Sequence, residues 1–262
     1  MALPRLQLVE LNDLERTPAA LRDTLIEALS RGLRWGRMLE GLVAPVRAFL
    51  DAAGTREVLD LCAGGGGPAQ VLAGELGRRG EAARFLLTDL FPRVHEWEEA
   101  RRAHPGVVDF VAEPVDATAI PADLARGRAR MVINAFHHFP PPLAQAILDD
   151  AVACGRGIFI SESFERNPLR FLPFAPAALA ALYAGPLLTR KDRLAKALLT
   201  WATPVALAAG IFDGLVSTMR IYDEADLRRM VARHGDRFRW TYGRYRFPFG
   251  GRGTYFWGVP QA

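Results

Sequence analysis

Apolar positions along the chain change their spacing twice, and each change marks a change of architecture. Leu21, Leu25, Ile26, Leu29 and Leu33 recur at helical intervals, and Met38, Leu42, Val46, Phe49 and Leu50 continue that spacing. Pro45 predicts a break or bend in the second run, and Ala53-Gly54 supplies a helix stop. From there short apolar runs alternate with helix-like segments: Glu57–Leu61, Arg84–Thr88, Val107–Val111, Arg130–Asn134 and Gly157–Ser161. Strand and helix alternating five times predicts an α/β fold with a doubly wound parallel sheet. The alternation stops at residues 165–220, a stretch rich in Leu, Ala, Phe and Pro that reads as two or three helices forming a lid. A charged amphipathic helix follows over Asp223–Arg233. Two strand-like runs, Arg237–Phe247 and Thr254–Val259, close the chain around the turn Phe249–Gly253, which makes a seven-stranded sheet with an antiparallel last strand. The expected organisation is a helical leader over 1–53, a core over 54–164, the insert over 165–220, and a last helix and hairpin over 221–262.

Composition narrows this little. Half of the residues are apolar, as in an ordinary globular protein. The net charge of +4 comes from arginines scattered among acids, as in Glu96, Glu98, Glu99, Arg101 and Arg102, which reads as a solvated helix face and not a nucleic-acid groove. Cys62 and Cys154 have no metal-like spacing, and no metal is expected. Leu8–Glu15 is acidic early, unlike a signal peptide, which leads to a cytoplasmic expectation. Ala197–Phe212 is uncharged and follows the basic Arg190–Lys196. At sixteen residues interrupted by Pro204 it falls short of the ~20 that span a bilayer, so it reads as a buried cap helix, with membrane contact as the lesser alternative.

The candidate chemistry begins at the end of the first strand, Asp60-Leu-Cys-Ala-Gly-Gly-Gly-Gly-Pro68. Ligands of doubly wound sheets bind beyond the carboxyl ends of the strands. Gly64 and Gly66 let a ligand approach the main chain, and Pro68 suits the first turn of the next helix. Gly64-x-Gly66-x-x-Ala69 formally satisfies a dinucleotide fingerprint. Asp60 argues against that reading, because a carboxylate there opposes a pyrophosphate. It suits S-adenosylmethionine (SAM), which carries a sulfonium and an ammonium and no phosphate. Asp89 ends the second strand, where an acid can bind a ribose diol in either cofactor. Asp116 follows the third, where it can accept a bond from an adenine amino group. Three carboxylates at three strand ends favour a cationic ligand.

Val58–Ala73, Asp89, Asp116 and Asn134-Ala-Phe-His-His-Phe139 together resemble the class I SAM-dependent methyltransferase family over about residues 55–165 and the terminal hairpin. The resemblance implies a Rossmann-like fold, SAM as cofactor, and cofactor contacts at Asp60, Ala63, Gly64, Gly66, Asp89, Leu90, Asp116, Ala117 and Asn134. The phrases Asp60–Pro68, Thr88–Pro92, Phe136–Phe139 and Asp213–Arg220 narrow it to a bacterial subgroup whose substrate they do not name. Cys62 departs from the pattern, since the family usually has glycine there.

Methyl transfer from a sulfonium mainly demands positioning, with a base where the nucleophile is protonated. His137, near the fourth strand's end, is the favoured base. Glu162, after the fifth, is a second base or a brace for a histidine. His138, Arg166, Asp213 and Arg220 are candidate substrate ligands, although Asp213 and Arg220 read first as a structural salt bridge with each other, and Arg166 has the same dual reading. Trp35, Tyr183 and Trp201 read as core. The Asn-Pro-Pro-aromatic and Pro-Cys signatures of nucleobase methylation do not occur at these positions, and the apolar insert suggests a small hydrophobic acceptor. Two alternatives remain open: a SAM-binding protein without methyl transfer and an NAD(P)-dependent oxidoreductase. The motifs leave oligomeric state undetermined.

Overall fold

The computed structural model describes residues 4–14, 16–189 and 191–261; Glu15 and Arg190, part of the segments read above, lie outside them. The chain divides into two compact units, one of residues 39–163, 222–245 and 253–262, the other of residues 1–38, 164–221 and 246–252.

The α/β unit starts with helix α2 (Val43–Ala53), which follows helix α1 (Ala19–Trp35) of the other unit in sequence. Pro45 lies in the first turn of α2 and does not bend a longer helix: first-turn N–H groups have no partner four residues back, so the missing donor costs nothing. Gly54 ends α2 in the left-handed region at φ 63°. The sheet contains β1 (Glu57–Asp60), β2 (Arg84–Leu87), β3 (Val108–Phe110), β4 (Ala129–Ile133), β5 (Ile158–Glu162), β6 (Phe238–Phe247) and β7 (Gly251–Pro260), in the order β3-β2-β1-β4-β5-β7-β6. β1 pairs in parallel with β2 and β4, β2 with β3, and β4 with β5, while β7 runs antiparallel to β5. Strand order reverses between β1 and β4, which makes their carboxyl ends the switch point of the sheet. Helices α3 (Gly67–Arg78), α4 (Val94–Ala103), α5 (Ala122–Ala125), α6 (Pro141–Cys154) and, later in the chain, α10 (Glu224–Val231) flank it. β4 and β5 are buried along their whole length, as central parallel strands require. Leu59, Val132, Ile147, Leu148, Ile160 and Phe256 form the centre of the core, each side chain contributing about 1.5–3 kcal/mol by leaving water.

The helical unit contains α1, α7 (Ala175–Leu188), α8 (Arg193–Ala197) and α9 (Val205–Arg220), with a 3-10 segment at Pro168–Phe174 and a π turn at Leu198–Ala202. Leu21, Leu25 and Ala28 of α1 pack with Leu182, Ala206 and Ala209. Two expectations fail here. Ala197–Phe212 is not one buried helix, because the α8–π segment and α9 meet at an 82° bend at Thr203-Pro204, where the proline supplies no N–H to continue a helix. Nor are Trp35, Tyr183 and Trp201 core residues, since all three are exposed.

Candidate functional site

The carboxyl ends of β1, β2 and β4 are stitched together by main-chain bonds. Thr88 donates to Asp60 O through both N–H and Oγ1, Ala63 N–H donates to Thr88 O, and Leu61 N–H to Met131 O. The glycine loop leaves this frame through three left-handed residues, Cys62 (φ 57°), Gly64 (φ 52°) and Gly66 (φ 73°). Cys62 therefore holds the backbone conformation for which glycine is the natural residue. Gly66 is required for a second reason: a Cβ there would meet Leu87 Cδ1 at 2.9 Å.

Gly64 is clamped from both sides. Its N–H donates to Asp89 Oδ2 at 2.9 Å, and its carbonyl accepts a 2.7 Å bond from Trp97 Nε1 of α4. Asp89 Oδ1 accepts from Phe91 N–H at 2.9 Å, so the carboxylate is oriented while each oxygen keeps a second acceptor site. Leu90 beside it is exposed, whereas Ala63 and Ala117 are buried. Asp116 is exposed, and its Oδ1 accepts from Thr118 N–H and Oγ1 at 2.8 and 2.7 Å. Sequence reasoning missed Trp97; the lone aromatic in the charged run Val94–Ala103 was the available signal.

Asp60 is 2% exposed, and its Oδ2 finds no hydrogen-bond partner among the described residues. Burial, and secondarily the charge of Asp89, push its carboxyl well above the usual range. Burial also pushes the Cys62 thiol strongly up, reinforced by the charges of Asp89, Asp60 and Asp116. The loop thus lies in the field of all three carboxylates. At the end of β4, Asn134 is left-handed (φ 56°), its Oδ1 accepts from Ser163 N–H at 2.7 Å, and its buried Nδ2 finds no partner among the described residues.

A 3-10 turn, Phe136–His138, carries the two histidines. His137 is 6% exposed. Glu162, the last residue of β5, accepts from His137 N–H at 3.0 Å and faces Nδ1 at 2.8 Å. One carboxylate thereby fixes both the backbone and the ring, which is the geometry of a brace. His138 packs its ring against His137, with centroids 4.2 Å apart. Tyr245 Oη donates to Ser163 Oγ at 3.3 Å, and burial pushes its phenol up to about 12.

The remaining candidates belong to the helical unit. Asp213 and Arg220 both bind the N-terminal segment. Asp213 accepts from the N–H groups of Leu11 and Asn12 at 2.6 and 3.2 Å. Arg220 reaches Glu10 at 3.1 Å and Asp13 at 2.7 Å. Seven residues apart on α9, they lie on one face and tie it to the N-terminal segment. Arg166 is partly buried in the connection after β5.

No protein-family model and no curated protein matches the sequence. Among solved structures, the methyltransferase domain of bacterial CtHen1-CN is similar at TM-score 0.51 and 11% identity, over 85% of this chain and 99% of that one. The CtHen1-C form of that domain gives TM-score 0.48 at 11% identity, over 86% and 100%. An O-methyltransferase, NcsB1 from neocarzinostatin biosynthesis, solved with S-adenosyl-L-homocysteine and 1,4-dihydroxy-2-naphthoic acid, gives 0.47 at 14%, over 82% of this chain and 52% of that chain. The likeness to the first establishes architecture and not chemistry: the seven-stranded sheet with its antiparallel last strands is the Rossmann-like methyltransferase fold.

Proposed function

We propose that this chain is a SAM-dependent methyltransferase acting on a small hydrophobic molecule. The observation that carries the reading is Asp60: a buried carboxylate oxygen without a partner, at the switch point of the sheet, beside a glycine loop in the field of two more carboxylates. A buried carboxyl of this kind holds its charge only when a cation pairs with it. The residues present fit SAM. Beyond the adjoining main chain, no atom of the described residues lies within 4 Å of where a Cβ of Gly64, Gly65 or Gly67 would stand, so ligand atoms can approach the main chain there. Asp60 and the Asn134 amide would meet the charged amino-acid end, Asp89 the ribose diol, and Asp116 the adenine side. A pyrophosphate would be repelled by the same carboxylates.

When bound, SAM supplies an electrophilic methyl group. The protein's part is to hold the acceptor in line and take its proton. Glu162 faces His137 Nδ1 and braces the imidazole that would take a proton from a hydroxyl or amine acceptor. The bond from His137 N–H to the same carboxylate anchors the backbone that carries the ring. The apolar composition of residues 165–220 supports a hydrophobic acceptor.

Calorimetry should show SAM and S-adenosylhomocysteine binding the purified protein, with Asp89→Ala weakening both. NADH binding without SAM binding would sink the assignment. With labelled SAM and an extract of hydrophobic metabolites, His137→Ala should lower methyl transfer about 10²–10⁴-fold at unchanged SAM affinity. SAM binding without transfer to any fraction would leave a binding protein in place of an enzyme.

A further inference from the structure

The helical unit distributes polarity the wrong way round for a water-facing surface. Lys196 (1% exposed), Thr200, Asp213, Thr218 and Arg220 are buried. Outward, Leu179, Tyr183 and Leu187 follow one another four residues apart along α7 and are all exposed. Leu194 (75% exposed), Leu198 and Trp201 repeat at i, i+4 and i+7 along α8 and the π turn, so they share a second outward stripe. The two stripes adjoin, because Trp201 Nε1 donates to Tyr183 O at 3.0 Å. Contiguous apolar surface of this kind marks an interaction site.

Charge selects the occupant. Residues 168–212 carry Arg170, Arg190, Lys191, Arg193 and Lys196 against the single carboxylate Asp192. Of these, Lys196 is buried on Glu27, Arg170 pairs with Glu165, and Lys191 reaches Asp23 while keeping most of its side chain exposed. Lys191 and Arg193 are exposed where α7 gives way to α8, beside the apolar stripes. Apolar stripes bearing Trp and Tyr and bordered by basic residues match the surface of an anionic bilayer. A two-fold contact with a second copy would instead bring these cations to the same patch from both sides. Pro168–Leu188 is long and apolar enough to cross a membrane, with 28% of its apolar window buried. The same unit opposes a span: the charged helix α1 packs on α7, holds the turn before α8 through Lys191–Asp23 at 2.9 Å, and holds α8 through Lys196–Glu27 at 2.6 Å. These charges belong at the water interface.

We propose that the outward faces of α7 and α8 seat the protein on the surface of an anionic lipid bilayer. Leu187, Leu194 and Leu198 enter the acyl boundary, while Lys191 and Arg193 meet the headgroups. This is independent of the methyl-transfer reading. The test is flotation of the 262-residue chain with phosphatidylcholine vesicles, with or without an equal part of phosphatidylglycerol. The expected result is flotation with the anionic vesicles, suppressed by high salt. The double variant Leu187→Glu/Leu194→Glu should weaken binding about tenfold or more, since both insertion and charge are lost. Circular dichroism confirms that the variant is folded, and Arg193→Glu, at an exposed polar position, provides a second reading. The proposal is overturned if the wild type fails to float, floats equally with neutral vesicles, or is unaffected by both variants. A stable dimer in sedimentation equilibrium that the double variant dissociates overturns it in favour of a second copy.

Discussion

The two units put the same residue types to opposite uses. In the α/β unit, α10 buries Leu227 and Val231 and turns Arg228 and Arg229 to solvent. In the helical unit, α9 buries Asp213 and Arg220 and exposes Ile211, Phe212 and Leu215. Apolar residues at helical spacing therefore reveal that a helix has an apolar face, and not which way that face points. Burial of apolar groups is only a tendency, whereas a buried charge must find partners wherever it lies. In α9 the charges fix the orientation, because Glu10 and Asp13 wait for Arg220 and the Leu11 and Asn12 N–H groups wait for Asp213.

The largest effect that separates the units is expected at Arg220. Arg220→Leu removes the guanidinium from the buried Glu10 and from Asp13 and should cost about 3–5 kcal/mol, read as the loss of midpoint in guanidinium unfolding. The exposed Arg228–Glu224 pair on α10 gives the contrast, with Arg228→Ala costing about 0.5 kcal/mol or less. Equal losses at the two positions would break the comparison.

Next in size is Asp60, a buried carboxyl of the α/β unit whose Oδ2 has no hydrogen-bond partner among the described residues. Its raised carboxyl binds a proton more readily folded than unfolded. The stability it contributes is therefore present below the ordinary aspartate range and lost as pH rises through its folded value. Asp60→Asn should make the ligand-free protein more heat-stable at neutral pH and flatten that acid-side slope. The same substitution should weaken SAM about tenfold to a hundredfold, the worth of a charge-assisted bond. A variant that loses stability and keeps SAM affinity would show Asp60 to be structural.

Much of the α/β unit was legible because its rules are local. Alternating strands and helices announced the sheet, and five strand readings lie within a residue of β1 to β5 at either end. The acids at the strand ends could be placed from position alone. Their partners were less legible: Glu162 was readable as a base or a brace, and only the 2.8 Å approach to His137 distinguishes the two. Trp97 reaches Gly64 across thirty-three residues, a contact that spacing does not encode. The helical unit resisted for a different reason. The Asp213–Arg220 spacing suggested a pair, yet seven residues along a helix is two turns, and the partners each one meets in the N-terminal segment lie about two hundred residues away in sequence.

The smallest effect concerns where the α/β unit stores backbone strain. Among its described residues, Cys62 and Asn134 are the non-glycine positions with positive φ, and they follow β1 and β4 on either side of the switch point. Strain of this kind concentrates at ligand sites. Asparagine tolerates the left-handed region, but cysteine has no such excuse. Cys62→Gly removes the strain while freeing the unfolded chain, so the net gain should stay below about 1 kcal/mol. Cys62→Ala loses the thiol and keeps the strain, so the difference between the two variants isolates the backbone contribution. In chemical denaturation the glycine variant should be the more stable by about 1 kcal/mol. SAM affinity should be unchanged by glycine, since Gly64 stays clamped between Asp89 and Trp97 whichever residue stands at 62. If alanine proves equal to glycine, the left-handed turn at 62 carries no strain, and the loop is held by that clamp alone.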